Sequence, residues 1–211
     1  TMLGLKGIPR AAEVAIVSRD LALAELTGVS LHLSQISCAK SVEQVRAAQA
    51  KGVRVTADVS PHHLTFNDQD LTLLDTNLKL EPPLRGQEDQ EALLKGVADG
   101  TIGAIATGHA PQTILEKDVT FGVADAGAIG LQTTLTAVIM AAKSAQLPEA
   151  PFIRALSHGP ATILNGSYQG LAAGSPADLV VFAPDTQWTL DATQIVSKSK
   201  NSPFLNRPLT G

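Results

Sequence analysis

Three short apolar runs alternate with longer segments of helical character along the chain. The runs lie at residues 29–35, 53–59 and 102–106, and the segments between them carry apolar residues at helical spacing. Alternation of strand and helix is typical of parallel α/β units, in which helices cover the faces of a buried sheet. The sequence therefore predicts an α/β fold with three parallel strands.

Capping residues give approximate bounds for the helices. Pro9 suits a first turn and Gly28 a helix end, which predicts a helix at 9–27, and Ser41 is expected to cap a second helix. The remaining helices are predicted at 41–50, from about 88 to a stop at Gly100, and at 131–145, 152–157 and 160–164. Polar loops are expected up to residue 86 and at 107–127, after strands, where α/β folds place their sites.

Composition excludes several classes of function. The net charge is −4 and the aromatic residues are one Trp, one Tyr and five Phe, whereas a nucleic-acid site needs a basic face and stacking rings. No apolar run approaches the roughly 20 residues that cross a membrane, and the first residues lack the apolar core of a signal peptide. We therefore expect no nucleic-acid partner, no membrane and a cytoplasmic location. Cys38 is the only cysteine, which excludes an internal disulfide, and we interpret it as a core residue.

Seven segments carry a specific resemblance. They are LGLKGIPRAAE (3–13), LHLSQIS (31–37), VTADVSPHHLTF (55–66), DTNLKLEPPLR (75–85), DGTIGAIATGHAPQT (99–113), GSPADLVVFAPD (174–185) and NSPFLNRPLTG (201–211). Their order and spacing resemble the bacterial type I dihydroorotases of the amidohydrolase superfamily. The resemblance runs along the whole chain, and PPLR followed by the ATxHAP pattern is its narrowest part.

The resemblance implies a zinc-dependent (β/α)8 barrel that interconverts carbamoyl aspartate and dihydroorotate, with a small β-sandwich built from the chain ends. Residues 1–165 then correspond to the last three strands and helices of the barrel. Residues 166–211, whose short apolar runs predict strands, correspond to a β-sandwich segment. Three strands cannot close an eight-stranded barrel, so we expect the chain to pack against further polypeptide.

Two positions decide whether the resemblance extends to chemistry. Where the family has a zinc-binding His at the end of the sixth strand, this sequence has Gln35, a weak neutral ligand. Where the family has the Asp that binds metal and accepts a proton, this sequence has Gly108, which has no side chain to do either. We therefore predict no zinc, although the active family uses it, and no catalytic residue.

The substrate contacts of the family have changed as well. Gln112 stands at the position of a substrate-binding His, and Glu81 at that of an Asn. The family's substrates are anions, so a carboxylate in their pocket adds repulsion. A vestigial pocket of Glu81, Arg85 and His109 remains as a candidate, although a salt bridge within its loop is the alternative role of Arg85.

The other histidines and the serines are weaker candidates. His62 and His63 resemble a metal pair, but neighbours on a strand point to opposite sides, which favours structural hydrogen bonds. The same role is expected for His109 beside the old site, for His32 within a buried strand and for His158 at a helix start. A serine hydrolase is a weak hypothesis, since the sequence supplies no base partner for Ser34, Ser37 or Ser60.

Three functions remain open from the sequence. The first is a catalytically inactive dihydroorotase homologue that acts as a structural subunit of aspartate carbamoyltransferase, as chains resembling this one do. The second is an active metal-dependent amidohydrolase whose altered site is completed by residues outside this chain. The third is a sensor that binds a ligand around Arg85 without chemistry. Expected partners are the transferase and either the remaining N-terminal barrel half or a second copy.

Overall fold

A computed structural model describes residues 4–166 and 170–211. The helices are α1 (Arg10–Thr27), α2 (Ala39–Ala50), α3 (Pro61–Thr65), α4 (Gln87–Ala98), α5 (Ile114–Lys117), α6 (Thr134–Ser144), α7 (Glu149–Leu156) and α8 (His158–Ile163). Two 3₁₀ helices, Asp68–Leu73 and Thr76–Leu78, lie between α3 and α4. The strands are β1 (Leu31–Leu33), β2 (Val55–Val59), β3 (Ala104–Ile105), β4 (Gln187–Thr189) and β5 (Pro208–Thr210).

The predicted three-stranded parallel sheet is confirmed. Its order is β1-β2-β3, with Leu31 opposite Val55 and Asp58 opposite Ala104. Each strand is shorter than the apolar run that predicted it, although hydrogen bonds continue past the strand ends, as from the Ala106 N to the Val59 carbonyl at 3.1 Å. Within the described residues β1 and β3 each have one free edge, so this sheet is open rather than closed.

Helix bounds follow the capping residues with one correction. α1 follows Pro9 and ends at Gly28, whose φ of 70° is in the left-handed region that glycine tolerates. The expectation that Ser41 caps α2 is wrong, because the helix begins at Ala39 with Cys38 in the capping position. The Ser41 hydroxyl instead donates to the Glu13 carboxylate at 2.6 Å, so it joins α2 to α1.

The main core lies between the parallel sheet and the helices that cover one of its faces. β2 is the most deeply buried strand, and Ala57 and Val59 have no solvent exposure. Full burial of one valine or leucine side chain stabilises a fold by about 1.5–3 kcal/mol, so these contacts dominate the packing. The helical contribution comes from buried residues of α1, α2, α4, α6 and α7, among them Leu21, Val45, Leu93, Val138 and Phe152.

The C-terminal segment corrects one expectation. Strands were predicted from the apolar runs after residue 165, but the run at residues 179–182 forms no strand, and Val181 is 96% exposed. An apolar run becomes a strand only where a neighbouring strand can pair with it, and the described residues place none beside this one. Strand structure appears instead in the antiparallel pair of β4 and β5.

A second apolar cluster joins this segment to the loops above the parallel sheet. Leu190 and Phe204 from the C-terminal segment pack with Phe66, Leu78 and Ile129. The division at residue 165 stays a prediction. No helix in residues 4–166 or 170–211 combines the length and the apolar character that a membrane span requires.

Candidate functional site

A cavity of about 240 Å³ lies at the carboxyl ends of the three parallel strands. Parallel α/β sheets carry their ligand sites at this edge. Four of the six predicted positions line it, namely Gln35, Glu81, Gly108 and His109, and the other lining residues are Ser60, His62, His63, Leu80, Ala106, Thr107, Ala110 and Gly127. A larger cavity of about 580 Å³ lies beside α7 and α8 and contains none of the six.

The two altered ligand positions both have left-handed backbone conformations. Gln35 has a φ of 53° and Gly108 a φ of 59°. A Cβ atom on residue 108 would lie 3.1 Å from the Cβ of Ser60, so the backbone here is closely packed around glycine. Among the described residues no group of three His, Cys, Asp or Glu side chains could hold a metal ion. These residues do not fit the zinc site of the resembling family.

A buried carboxylate that the sequence analysis missed organises the end of β1. Asp58 is 5% exposed, and its Oδ1 accepts a hydrogen bond from the backbone N of Gln35 at 2.8 Å. Its Oδ2 accepts from the Ser34 hydroxyl at 3.0 Å and lies 2.9 Å from His32 Nε2. The signal was an acidic residue one position before the end of the predicted buried strand at residues 53–59. The hydrogen-bonded role expected of His32 agrees with its contacts to Asp58 and Thr56, but its expected core position is wrong, because its side chain is one third exposed.

His62 and His63 are both buried, but the expected geometry was wrong. They lie on the short helix α3 rather than on a strand, because Ser60 caps a helical turn directly after β2. His63 Nδ1 lies 2.7 Å from the Ser60 hydroxyl, and its Nε2 lies 2.9 Å from the Pro82 carbonyl. Since a carbonyl only accepts, Nε2 is the donor and Nδ1 accepts from Ser60. The sequence had supplied no base partner for this serine, and the structure places one at its hydroxyl.

His62 presents a neutral imidazole to the cavity. Its Nε2 lies 3.3 Å from the Ile129 carbonyl, so Nε2 carries the proton and Nδ1 is an acceptor. Nδ1 lies 3.6 Å from where a Cβ of residue 108 would be. Burial, with smaller contributions from the neighbouring His63 and His109, lowers the pKa of His62 to about 4.

The side chain of His109 is fixed by the backbone that follows the long loop. Its Nδ1 accepts hydrogen bonds from the backbone N of Gly130 at 3.2 Å and of Leu131 at 3.4 Å. The remaining proton of a neutral imidazole is then on Nε2. His109 lines the candidate cavity and also a neighbouring, mostly apolar cavity of about 370 Å³. His158 begins α8, and its Nδ1 lies 3.5 Å from the Thr162 hydroxyl.

Arg85 is not among the residues that line the cavity. Its guanidinium is 7% exposed, donates to the Ser37 hydroxyl at 3.0 Å and to the Ile8 carbonyl, and lies 3.7 Å from Glu13. Burial would raise the pKa of Glu13, but hydrogen bonds from Ser37 and Ser41 outweigh it, and the pKa is lowered. The alternative salt-bridge role of Arg85 therefore agrees with the structure, although the pair joins the loop to α1 and not to itself.

Gln112 is likewise not among the residues that line the cavity. Its Nε2 donates to the Ala126 carbonyl at 2.9 Å, and its backbone N donates to the Asn201 side chain at 3.2 Å. Asn201 Nδ2 in turn donates to the carbonyls of Ala110 and Gly127. Gln112 and Asn201 therefore connect the two ends of the loop at residues 110–127 by hydrogen bonds. This role depends on contacts distant in sequence, which the local pattern did not indicate.

The buried imidazole of His62 gives a pH prediction. The unfolded side chain binds a proton near its usual pKa of 6.5, whereas the folded side chain does so only at about 4. This difference in pKa contributes about 3 kcal/mol to the free energy of unfolding. The contribution is fully present above pH 6.5 and is lost as the pH falls towards 4. NMR of the His62 ring should show no titration between about pH 8 and about pH 5. A midpoint near the ordinary histidine value would contradict the buried geometry.

Comparisons with known proteins agree with this fold. The model of the Amidohydrolase family matches residues 17–204. A dihydroorotase of Geotalea daltonii is 44% identical over 211 residues, which cover 100% of this chain and 50% of that protein. A dihydroorotase of Anaeromyxobacter dehalogenans is 42% identical over 213 residues, with 100% and 49% covered. The chain spans about half the length of these curated relatives.

Solved structures give the same result. An L-hydantoinase (dihydropyrimidinase) from Arthrobacter aurescens superposes with a TM-score of 0.89 at 26% identity, covering 96% of this chain and 46% of that one. A D-hydantoinase superposes with a TM-score of 0.85 at 22% identity and the same coverage. These are TIM-barrel proteins, which confirms the prediction of part of a (β/α)8 barrel. Together with the match over residues 17–204, this shows that the chain belongs to the amidohydrolase family.

Proposed function

We propose that this protein is a catalytically inactive dihydroorotase homologue that serves as a structural subunit of aspartate carbamoyltransferase in pyrimidine biosynthesis. The observation that carries the proposal is Gly108, at the carboxyl end of β3 in the cavity where the active family has its metal-binding proton acceptor. Hydrolysis needs a metal-activated water and a base to take its proton. Gly108 supplies neither, and Gln35 is a poor replacement for imidazole.

Contacts outside the cavity support a structural role for the folded protein. Buried polar contacts around Glu13 and Asn201 tie helices and loops together outside the cavity. A buried carboxylate or amide is retained at low cost only when its partners are all present, so these contacts hold one defined conformation. A rigidly folded protein without catalytic activity can still contribute a binding surface to an assembly. We place the protein in the cytoplasm, where a single unpaired and buried Cys38 is ordinary.

We further propose that the open side of the sheet is covered, by the remaining N-terminal half of a barrel or by a second copy. α1 carries Ile16, Leu23 and Leu26 on its outer face, at 48%, 51% and 81% exposure, and Val29 beside β1 is 54% exposed. Parallel sheets are normally covered on both faces and paired at their edges. A covering polypeptide would bury these apolar side chains and pair with the free edge of β1.

The partner prediction is tested by co-expression with aspartate carbamoyltransferase followed by size exclusion. We expect the two proteins to co-purify and the transferase to elute at a larger size than it does alone. A specific interface of about 1,200–2,000 Å² would be needed. The double variant Gln35→His, Gly108→Asp is the matched control, because both positions face the cavity and assembly should persist. A transferase of unchanged size and activity, with no co-purification, would refute the scaffold role.

The alternative function is an active metal-dependent dihydroorotase or cyclic amidohydrolase with an altered site completed by residues outside this chain. Its support is the 44% identity to a protein named dihydroorotase. It requires residues outside this chain to replace the metal ligand at position 35 and the proton acceptor at position 108. Zinc that stays bound through dialysis, and that is lost when Gln35 is replaced by alanine, would favour it.

A further inference from the structure

We propose that Thr56, His32 and Asp58 form a hydroxyl–imidazole–carboxylate triad that hydrolyses activated esters or thioesters through an acyl group on the Thr56 oxygen. The three side chains lie on the face of the parallel sheet opposite the main core. The inference concerns a cavity and a reaction other than those of the active family. It therefore goes beyond the scaffold role and can fail independently of it.

Pairing of β1 with β2 brings the three side chains together. His32 lies opposite Thr56, and Asp58 follows Thr56 by two positions on β2. Directly paired residues, and residues two apart on one strand, point to the same face of a sheet. Leu33 and Ala57, one position further along each strand, belong to the main core on the other face. The sheet register therefore fixes the relative positions of the three groups.

The hydrogen bonds run in one direction, from the hydroxyl to the carboxylate. Asp58 Oδ2 lies 2.9 Å from His32 Nε2, and since a carboxylate only accepts, Nε2 carries the proton of the neutral ring. Nδ1 is then an acceptor, and the Thr56 hydroxyl at 2.7 Å donates to it. The Ser34 hydroxyl and the backbone N of Gln35 donate to the same carboxylate and hold it in place. This order of groups activates a hydroxyl as a nucleophile in serine hydrolases.

The second hydroxyl–imidazole pair of the chain, Ser60 and His63, lacks two properties of the first. His63 Nε2 donates to the Pro82 carbonyl, and a neutral carbonyl stabilises an imidazolium less than a carboxylate does. Ser60 and His63 are also only 2% and 3% exposed, whereas the His32 side chain is 33% exposed. Charge and accessibility therefore both favour Thr56 as the nucleophile.

Thr56 lines the cavity of about 580 Å³ beside α7 and α8, a volume within the range of small-molecule sites. The apolar part of the lining suits a short acyl chain and consists mainly of Val97, Ile102, Ala155 and Ile163. Arg154 is the only Lys or Arg among the described lining residues, and it is exposed, so it stabilises negative charge on a carbonyl oxygen only weakly. The substrate class is therefore an activated acyl compound, whose carbonyl carbon is attacked without strong assistance.

The reaction is an acyl transfer in two steps. The Thr56 oxygen bonds to the carbonyl carbon while its proton moves to His32 Nδ1, and the Asp58 carboxylate stabilises the imidazolium. The bond from the carbonyl carbon to the leaving oxygen or sulfur then breaks, and the leaving group takes the proton from Nδ1. Water attacks the acyl group in the same way and loses its proton to Nδ1. The carboxylic acid is released, and that proton returns to the Thr56 oxygen.

Hydrolysis of p-nitrophenyl acetate and labelling by a fluorophosphonate test the proposal on the purified full chain. We expect release of p-nitrophenolate above a heat-denatured sample, and peptide mass spectrometry should find the phosphonate on Thr56. Thr56→Val removes the hydroxyl at nearly constant volume and should lower the rate at least about tenfold, with loss of the label. Thr56→Ser keeps a hydroxyl and should keep both. A rate unchanged in Thr56→Val, or a label only on other residues, would overturn the proposal.

Two further variants test the roles of the neighbouring groups. Thr193→Val is the matched control, because the Thr193 hydroxyl donates to Asp191 with no imidazole between them, and rate and label should stay unchanged. Asp58 is a positioning residue, so Asp58→Asn should lower kcat at least about tenfold and leave KM unchanged. If Thr193→Val lowers the rate as much as Thr56→Val does, hydrolysis does not take place at the triad.

Discussion

Replacement of Gly130 by alanine is expected to destabilise the protein by about 3 kcal/mol and to distort the cavity. A Cβ at this position would lie 2.2 Å from the Thr107 carbonyl oxygen and 3.0 Å from Cε1 of His62. The first distance is about 1 Å shorter than a carbon and an oxygen tolerate, so the backbone of a buried loop has to move. Both neighbours line the cavity, so its shape should change together with the stability.

Gly122→Ala is the matched control for this effect. Gly122 is exposed, and a Cβ there meets no atom within 4 Å, so its change in unfolding free energy should stay within about 0.5 kcal/mol. Urea denaturation of the two variants and the native protein measures the difference. If Gly130→Ala proves as stable as Gly122→Ala, then the close approach of the two loops is not a feature of the folded protein.

Much of the fold could be predicted because it depends on local patterns. Alternation of apolar residues located β1 and β2, and proline and glycine marked both ends of α1. β-structure after residue 165 was harder, since the run at residues 179–182 has the composition of a strand but lacks a neighbour to pair with. Strand formation depends on a partner, and composition alone does not supply one.

The candidate site could be predicted only in part, because some of its contacts join residues that are distant in sequence. Gln35, Glu81, Gly108 and His109 could be located because they follow strands and match motif positions. A salt bridge of Arg85 was expected, but its partner could not be predicted, because Glu13 lies 72 residues away by sequence number and meets Arg85 only in the folded chain. The α3 turn escaped notice because Ser60 acts as a cap directly after a strand, where strand alternation was assumed to continue.

Dihydroorotate turnover by this protein is expected to be at least about 10⁴-fold slower than by an active dihydroorotase. Loss of general base catalysis alone costs about 10²–10⁴-fold, and loss of metal activation of water adds to it. Because Gly108 has no side chain, it supplies neither a carboxylate that would accept the proton nor a carboxylate ligand that would hold the metal. His62 does not replace it, because its one free nitrogen lies in a buried pocket and its ring is held by the Ile129 carbonyl.

The most direct test of the account is a turnover assay in both directions with zinc supplied, on protein purified from a host that lacks its own dihydroorotase. The account predicts that dihydroorotate and carbamoyl aspartate are consumed no faster than with a heat-killed sample. It also predicts that addition of zinc or of a chelator changes neither rate. Zinc-dependent turnover above that control, abolished by a chelator, would contradict it and establish the chain as part of a working amidohydrolase.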